Sequence, residues 1–338
     1  MMPPEPRANP SLVGHGAAEA VLQEAMAGGR MHHAWLITGP QGIGKSTLAF
    51  RFARRLLAGT APTLALPASD LVFKRVAAGT HADLLTIERE WDPKRKKLRG
   101  EIIVDDIRRI GGFLRLTPAE GGWRVVIVDG VEDVNRNGAN ALLKILEEPP
   151  PRAVLLLVCA APGRLLPTIR SRCRRLALAP IADEAMAPLL AGWFPEMDEA
   201  QRMRLVTLAE GSPGRALQLA DGDGVAFAEL VNDILARAST LTAEHAYKVA
   251  DQIGRDEDAF STFMDLLRAG IAAAVRDAAR GKADPDQARL LGARPLDAWV
   301  EVWHALSRLQ DETEAVHMDK RQALVSGLTM VSTAREGR

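Results

Sequence analysis

The sequence predicts an α/β fold, a parallel sheet flanked by helices, followed by an all-helical C-terminal part. Three observations predict it. Through the first half of the chain, apolar runs of strand length alternate with helical repeats, as a parallel sheet requires. A glycine-rich stretch, residues 39–46, lies between one such run and one such repeat. Beyond about residue 180 the strand signals disappear and helical spacing persists. At 338 residues the chain exceeds one ordinary domain, and two or three are expected.

The elements follow in order. Ala34-Trp35-Leu36-Ile37-Thr38 is the first predicted strand and enters the glycine-rich loop. Leu48, Phe52 and Leu56 then recur every four residues, which marks one buried helix face. Leu85 and Ile87 sit in a second strand, and Ile102-Ile103-Val104 is read as a third. Arg124-Val125-Val126-Ile127-Val128-Asp129 is the fourth, nearly continuous in apolar residues and so expected at the centre of the sheet. Residues 135–148 read as a helix with Ala139, Leu142, Leu143 and Leu146 as its stripe, stopped by Pro149-Pro150-Pro151. Residues 153–159 are the fifth strand. Residues 183–220 carry short helical patterns, broken by Gly192-Trp193-Phe194-Pro195 and by Gly211-Ser212-Pro213-Gly214. Asp221-Gly222-Asp223-Gly224 is the expected boundary before a helical domain patterned on Leu230, Ile234, Val249, Ile253, Phe263, Leu266 and Leu267.

Composition narrows the function classes. Lys plus Arg and Asp plus Glu both number 43, so nothing in the charge points to a protein that coats nucleic acid by itself. Two cysteines, Cys159 and Cys173, exclude a disulfide framework and a four-cysteine zinc site. The first ten residues lack an apolar signal core, and no stretch approaches the roughly 20 apolar residues that span a bilayer. A cytoplasmic protein without a membrane partner is expected.

Gly39-Pro40-Gln41-Gly42-Ile43-Gly44-Lys45-Ser46 has the pattern of a phosphate-binding loop. Gly39, Gly42 and Gly44 let successive backbone N–H groups point at phosphate oxygens, at the positive end of the helix that follows. Lys45 is expected at the β- and γ-phosphates, Ser46 on Mg²⁺, and Thr47 beside them in the first turn. Asp129, at the end of an apolar strand, is the candidate second magnesium group; otherwise it is a turn Asp before Gly130. ATP or ADP with magnesium is thus the expected cofactor.

Five further stretches go together. Arg30-Met31-His32-His33-Ala34-Trp35 leads into the loop, and Leu142-Leu143-Lys144-Ile145-Leu146-Glu147-Glu148-Pro149-Pro150 ends a helix. Ile169-Arg170-Ser171-Arg172-Cys173 contains Ser-Arg-Cys, and His81-Ala82-Asp83-Leu84 precedes Ile103-Val104-Asp105-Asp106-Ile107-Arg108. Over about residues 11–217 the chain resembles the clamp-loader AAA+ subunits of bacterial DNA polymerase III, in the accessory rather than the motor branch. The resemblance implies an AAA+ nucleotide-binding domain over 1–180, a small helical lid over 181–222 and a helical, oligomerising collar over 223–338. Met318-Asp319-Lys320-Arg321-Gln322-Ala323-Leu324 is compatible with that collar.

The resemblance also implies partners and roles. The partners are the other clamp-loader subunits (tau/gamma and delta), the sliding clamp, and primed DNA reached through the assembled complex. Arg172 is the implied arginine finger, offered in trans to ATP on a neighbour, where a guanidinium stabilises transition-state charge. Read without the resemblance, Arg172 belongs to a basic cluster with Arg164, Arg170, Arg174 and Arg175 on a solvated face. Arg215 of Gly211-Ser212-Pro213-Gly214-Arg215 resembles a lid arginine that senses nucleotide; its alternative is a helix start with its head in water. Leu12-Val13-Gly14-His15 is similar to the segment lining an adenine pocket.

Three departures argue against an efficient ATPase. Gly130 stands where hydrolytic members carry Glu, and Glu132 and Asp133 are displaced in register. Ala160-Ala161 stands where active relatives carry a polar residue that orients water or γ-phosphate, which alanine cannot do. Residues 58–80 contain no cysteine, so the zinc module of many relatives is absent. The chain is therefore read as a component of a polymerase holoenzyme that does not itself polymerise, with weak or absent ATPase. The alternatives are an active tau/gamma-like motor subunit and, from another class, a small-molecule P-loop kinase. Lys94-Arg95-Lys96-Lys97-Leu98-Arg99 is read as a solvated loop or hairpin, with DNA-backbone contact as its alternative. His32-His33 lacks metal-ligand spacing, and Cys173 is read as a small buried residue.

Overall fold

The computed structural model describes residues 3–29, 31–59, 63–92, 97–120, 122–253, 257–316 and 318–332. Arg30 and Lys94-Arg95-Lys96 of the motifs above lie outside the described residues. The chain divides into two compact units, Met1–Ala216 and Leu217–Arg338.

The first unit contains, in chain order, α1 (Gly16–Ala27), β1 (Ala34–Thr38), α2 (Lys45–Leu57), α3 (Leu71–Ala77), β2 (Leu84–Ile87), β3 (Trp91–Asp92), β4 (Lys97–Leu98), α4 (Val104–Arg115), β5 (Arg124–Asp129), α5 (Arg136–Glu147), β6 (Ala153–Cys159), α6 (Pro167–Ser171), β7 (Arg174–Ala177), α7 (Asp183–Trp193), α8 (Glu199–Ala209) and the start of α9 (Pro213–Ala220). Five strands form one sheet in the order β2-β5-β6-β1-β7, and every pair is parallel. β6 holds the centre, and all seven of its residues are buried. The expected central strand, β5, is interior but one place to the side.

Alternation along the strands builds two cores. Val125 and Ile127 of β5 face a cluster with Leu48, Phe52 and Leu56 of α2, whereas Val126 and Val128 face one with Ile107 and Ile110 of α4 and Leu142 and Leu146 of α5. Both faces are thus covered, which is why the strand sequences are continuously apolar rather than alternating.

One reading of the sequence is corrected, and one strand it did not announce is added. Ile102-Ile103-Val104 is not a strand: Ile102 makes a single bridge to Val134, and Val104 opens α4. The Asp106 carboxylate accepts from the Ile103 N–H at 3.1 Å, and acids in a first turn favour helix over strand. Conversely, β7 carries one buried apolar residue, Leu176, so no apolar run announces it. It is an edge strand whose exposed Arg174 and Arg175 suit an edge.

His81-Ala82-Asp83-Leu84 acquires a structural reason. Asp83, 1% exposed, accepts from the N–H groups of Ala119 (2.8 Å) and Glu120 (3.1 Å) and lies 3.5 Å from the Arg124 guanidinium. The motif therefore fixes the loop that enters β5. The N-terminal segment is held by α2: Arg54, 1% exposed, donates to the carbonyls of Asn9 (2.6 Å) and Arg7 (3.3 Å), and Arg51 pairs with Glu19 at 2.7 Å. These carbonyls and the carboxylate satisfy guanidinium groups that would be costly to bury alone.

The second unit is helical among its described residues: the rest of α9, then α10 (Gly224–Ala236), α11 (Ala243–Ile253), α12 (Glu257–Ala279), α13 (Pro285–Leu291), α14 (Leu296–Val316) and α15 (Lys320–Val331). α12 packs on α10 and α14, and α15 on α11 and α14. Phe227 of α10 meets Phe263 of α12 edge to face at 6.4 Å. Asp319 caps α15 by accepting from the Gln322 N–H at 3.0 Å. No helix among the described residues is long and apolar enough to cross a membrane.

Candidate nucleotide site and outward arginine

The strand ends at one edge of a parallel sheet form the usual ligand crevice, and the glycine-rich loop follows the last residue of β1 there. Residues 39–44 turn from β1 into α2, whose first residue is Lys45. The first backbone bond of this helix runs from the Leu48 N–H to the Gly44 carbonyl, which leaves the preceding N–H groups directed outward from the helix start. Lys45 is 6% exposed and donates to the Pro40 carbonyl at 2.6 Å. Burial lowers its pKa, against the opposing effect of the Glu132 and Asp129 carboxylates and Cys159. Thr47 is buried in the same turn.

Asp129 ends β5 beside Ser46 and Lys45. Burial raises its pKa, and Ser46 and Lys45 oppose the rise. A carboxylate and a hydroxyl side by side at the foot of the loop are hard oxygen donors of the kind magnesium takes, so the residues present fit a nucleotide-bound Mg²⁺.

The loop is held from two sides. His15 Nε2 lies 2.6 Å from the Ile43 carbonyl oxygen, which brings the Leu12-Val13-Gly14-His15 segment against it. Opposite, the Ser212 hydroxyl donates to the Gln41 carbonyl at 2.9 Å, and the Gly214 N–H to the Gly42 carbonyl at 2.9 Å. Gly42 and Gly214 meet backbone to backbone: a Cβ on Gly214 would lie 2.7 Å from Gly42 Cα. Arg215 follows at the start of α9. Its N–H donates to Ser212 Oγ at 3.2 Å, and its guanidinium pairs with Glu210 at 3.3 Å.

Sequence reasoning set Glu132 aside, and the structure brings it to this site. Gly130, at φ +78°, reverses the chain after β5 into the short helical turn Val131–Asp133. Glu132 thereby reaches across to the end of β6, where its Oε1 accepts from the N–H groups of Ala160 (2.6 Å) and Ala161 (3.2 Å). Ala160 and Ala161, whose side chains have no polar function, thus present their backbone to a carboxylate. The only signal in the sequence was a glutamate three residues past Asp129, behind a glycine.

Arg172 lies elsewhere. It caps α6 two residues before β7, and β7 begins beside Trp35, near the start of β1. The glycine-rich loop follows Thr38 at the other end of that strand. About 10 Å of strand therefore separates the two ends before either flanking segment is counted. The Arg172 side chain is 35% exposed and donates to Glu147 at 2.7 Å and to the Thr168 carbonyl at 3.1 Å. Glu147 closes the Leu142-to-Pro150 motif, so two separately noted motifs meet at this pair.

A sequence model of the family described as DNA polymerase III, delta subunit, matches residues 14–182. The chain belongs to that family. DNA polymerase III subunit delta' of Pseudomonas aeruginosa is 40% identical over 208 residues, 61% of this chain and 61% of the relative. The Escherichia coli delta' subunit is 35% identical over 195 residues, 58% of this chain and 56% of the relative. The tau subunit of E. coli is 30% identical over 255 residues, 73% of this chain and 38% of the relative. The chain thus spans about three fifths of the length of the delta' relatives it matches. The clamp-loader resemblance and the α/β reading with a helical C-terminal part are borne out.

Within this delta-subunit family member, the sequence-predicted residues fall into three places. Gly39, Gly42, Gly44, Lys45, Ser46, Thr47 and Asp129 gather at the strand ends. Arg215 adjoins them by its backbone, while its charged head is turned to Glu210. Arg172 stands off the opposite end of the sheet. His32 and His33 stack at 4.5 Å, and His32 Nδ1 bonds within its own turn to Ala34, a packing arrangement. Cys173 is partly buried against the core.

Proposed function

We propose that this chain is an accessory subunit of the DNA polymerase III clamp loader, helping load the sliding clamp onto primed DNA. In this reading it binds ATP or ADP through residues 39–47 with magnesium on Ser46 and Asp129, turns nucleotide over slowly, and offers Arg172 to ATP held by a neighbour. Residues 1–180 serve as the AAA+ domain, 181–222 as a lid whose Arg215 senses the nucleotide, and 223–338 as the collar that joins tau/gamma and delta. DNA is reached through the assembly.

The observation that carries this reading is the placement of Arg172. An arginine at the strand-start end of the sheet cannot reach its own loop at the strand ends, and its partial exposure leaves it accessible to another subunit. The identity to delta' subunits supports the accessory assignment. Slow turnover is supported by Gly130, which offers no carboxylate, and by Ala160 and Ala161, whose N–H groups are taken by Glu132.

The longer match to tau favours a second reading, an ATPase motor. Reconstitution with a motor subunit and the clamp-opening subunit separates the two. The accessory reading expects no multiple-turnover ATPase from the isolated chain, and loss of the clamp- and DNA-stimulated rate in Arg172→Ala with the complex still assembled. Turnover of several per second by the isolated chain would support the motor reading instead.

A further inference from the structure

The geometry around Glu132 points to a selectivity of the loop, and we propose that Glu132 makes the site prefer a nucleoside diphosphate to a triphosphate. The inference rests on the nucleotide reading of residues 39–47 given above. β6 lies between β5, which ends in Asp129, and β1, which runs into the loop. The end of β6 is therefore the side of the crevice flanked by both phosphate-handling elements. There the chain places a carboxylate in a fixed position. Oε1 is held by the two N–H groups of Ala160 and Ala161, at 2.6 Å and 3.2 Å. Oε2 is shielded from solvent, and the Cys159 thiol adjoins the carboxylate.

Lys45, the cation expected at the terminal phosphates, has Glu132 as the leading carboxylate in its electrostatic surroundings, ahead of Asp129. Two consequences follow. N–H groups that would be free to meet a terminal phosphate are already donating to Glu132. The negative charge that a γ-phosphate would bring to Lys45 is supplied in part by the chain itself. A triphosphate would set its most highly charged group beside this carboxylate, a like-charge contact that disfavours binding. A diphosphate ends short of that contact and keeps the loop N–H groups and Lys45.

Calorimetric titration of the full chain with ADP and with ATP, each with Mg²⁺, tests this in wild type and in Glu132→Gln and Glu132→Ala. The wild type is expected to bind ADP at least about tenfold tighter than ATP, and both variants to bring the ratio within about threefold, chiefly by tightening ATP. Lys45→Ala should weaken both nucleotides and so places the binding at this loop. An ADP-to-ATP ratio near one in the wild type overturns the proposal whatever the variants do. A wild-type preference that persists in both folded variants overturns it as well. Absence of either nucleotide from wild type and both variants overturns the nucleotide reading itself, and the selectivity with it.

Discussion

Arg172 separates a functional from a structural arginine by the size of two effects that can be measured on one variant. Its ion pair with Glu147 is short, 2.7 Å, but the two side chains are 35% and 49% exposed. Water screens a pair in that position, and such pairs contribute about 0.2–1 kcal/mol. The bond to the Thr168 carbonyl adds a comparable amount at a surface where water can replace it. Arg172→Ala should therefore lower the midpoint of thermal unfolding by only a few degrees, about 2–4 °C per kcal/mol for a chain of this class. If the guanidinium acts on a neighbour's γ-phosphate, the same substitution should lower the stimulated ATPase of the assembled complex by about 10³- to 10⁵-fold. Glu147→Gln keeps the guanidinium and removes only its charged partner. It should cost less than 1 kcal/mol and about tenfold or less in rate. The assay is clamp- and DNA-stimulated phosphate release, with assembly checked by gel filtration. A stimulated rate within threefold of wild type in an assembled Arg172→Ala complex refutes the reasoning.

Other outcomes follow from the same contacts. Gly214→Ala puts a Cβ 2.7 Å from Gly42 Cα, a backbone atom that cannot rotate away, so urea unfolding of this variant should show a loss of about 1–3 kcal/mol. His81 is buried with its pKa lowered chiefly by desolvation and further by Arg75, while Glu120 and Asp83 act the other way. Its folded pKa lies below its unfolded value, so its contribution is complete above about pH 6.5 and is lost as pH falls through the folded value. His81→Asn, which keeps an acceptor for the Asp83 N–H, should flatten the fall in urea midpoint between pH 7.5 and 5.5; an unchanged slope would assign that dependence elsewhere, His33 being shifted in the same direction. Cys159 and Cys173 are both pushed up to about 12 by burial. At pH 8 the native thiols should react with a disulfide reagent about 10³-fold more slowly than those of the unfolded chain, and rates within tenfold would contradict the burial.

The parts of this fold legible in the sequence are those written in local periodicity. β1, β5 and β6 are long, buried on both faces and continuously apolar, so composition alone marks them. β7 has one buried residue in four, and its strand state comes from pairing with β1, a partner well over a hundred residues away. Ile102-Ile103-Val104 shows the converse error: three apolar β-branched residues look like a strand, and the acids that follow turn the segment into a helix start. The site divides along the same line. Its contiguous motif was readable, whereas Glu132 depends on a reversal at Gly130 and on N–H groups contributed by another strand. Likewise, no local pattern indicates that Arg172 and the loop stand at opposite ends of the sheet; that needs the register of Arg174 against Trp35.

A complete glycine-rich loop beside Gly130, Ala160 and Ala161 is less contradictory once the loop's packing is considered. Gly42 is where the chain at Gly214 makes backbone contact, and the carbonyls of Gln41 and Gly42 are acceptors for Ser212 and Gly214. On the other side the Ile43 carbonyl is met by His15. Three consecutive carbonyls of the loop are thus tied to segments before and after it in the chain, whatever the loop binds. Larger side chains at residue 42 would separate those segments, so glycine there answers to packing as well as to phosphate. A loop with this structural duty has a reason for its sequence apart from hydrolysis, and the presence of its motif is therefore weak support for ATPase activity. Arg172 carries no such duty: its pair with Glu147 is exposed and contributes little to the fold. Of the two features that mark this chain, the loop has a packing duty apart from nucleotide, whereas the contacts of Arg172 are exposed and weak, and the proposed finger role is what Arg172→Ala tests.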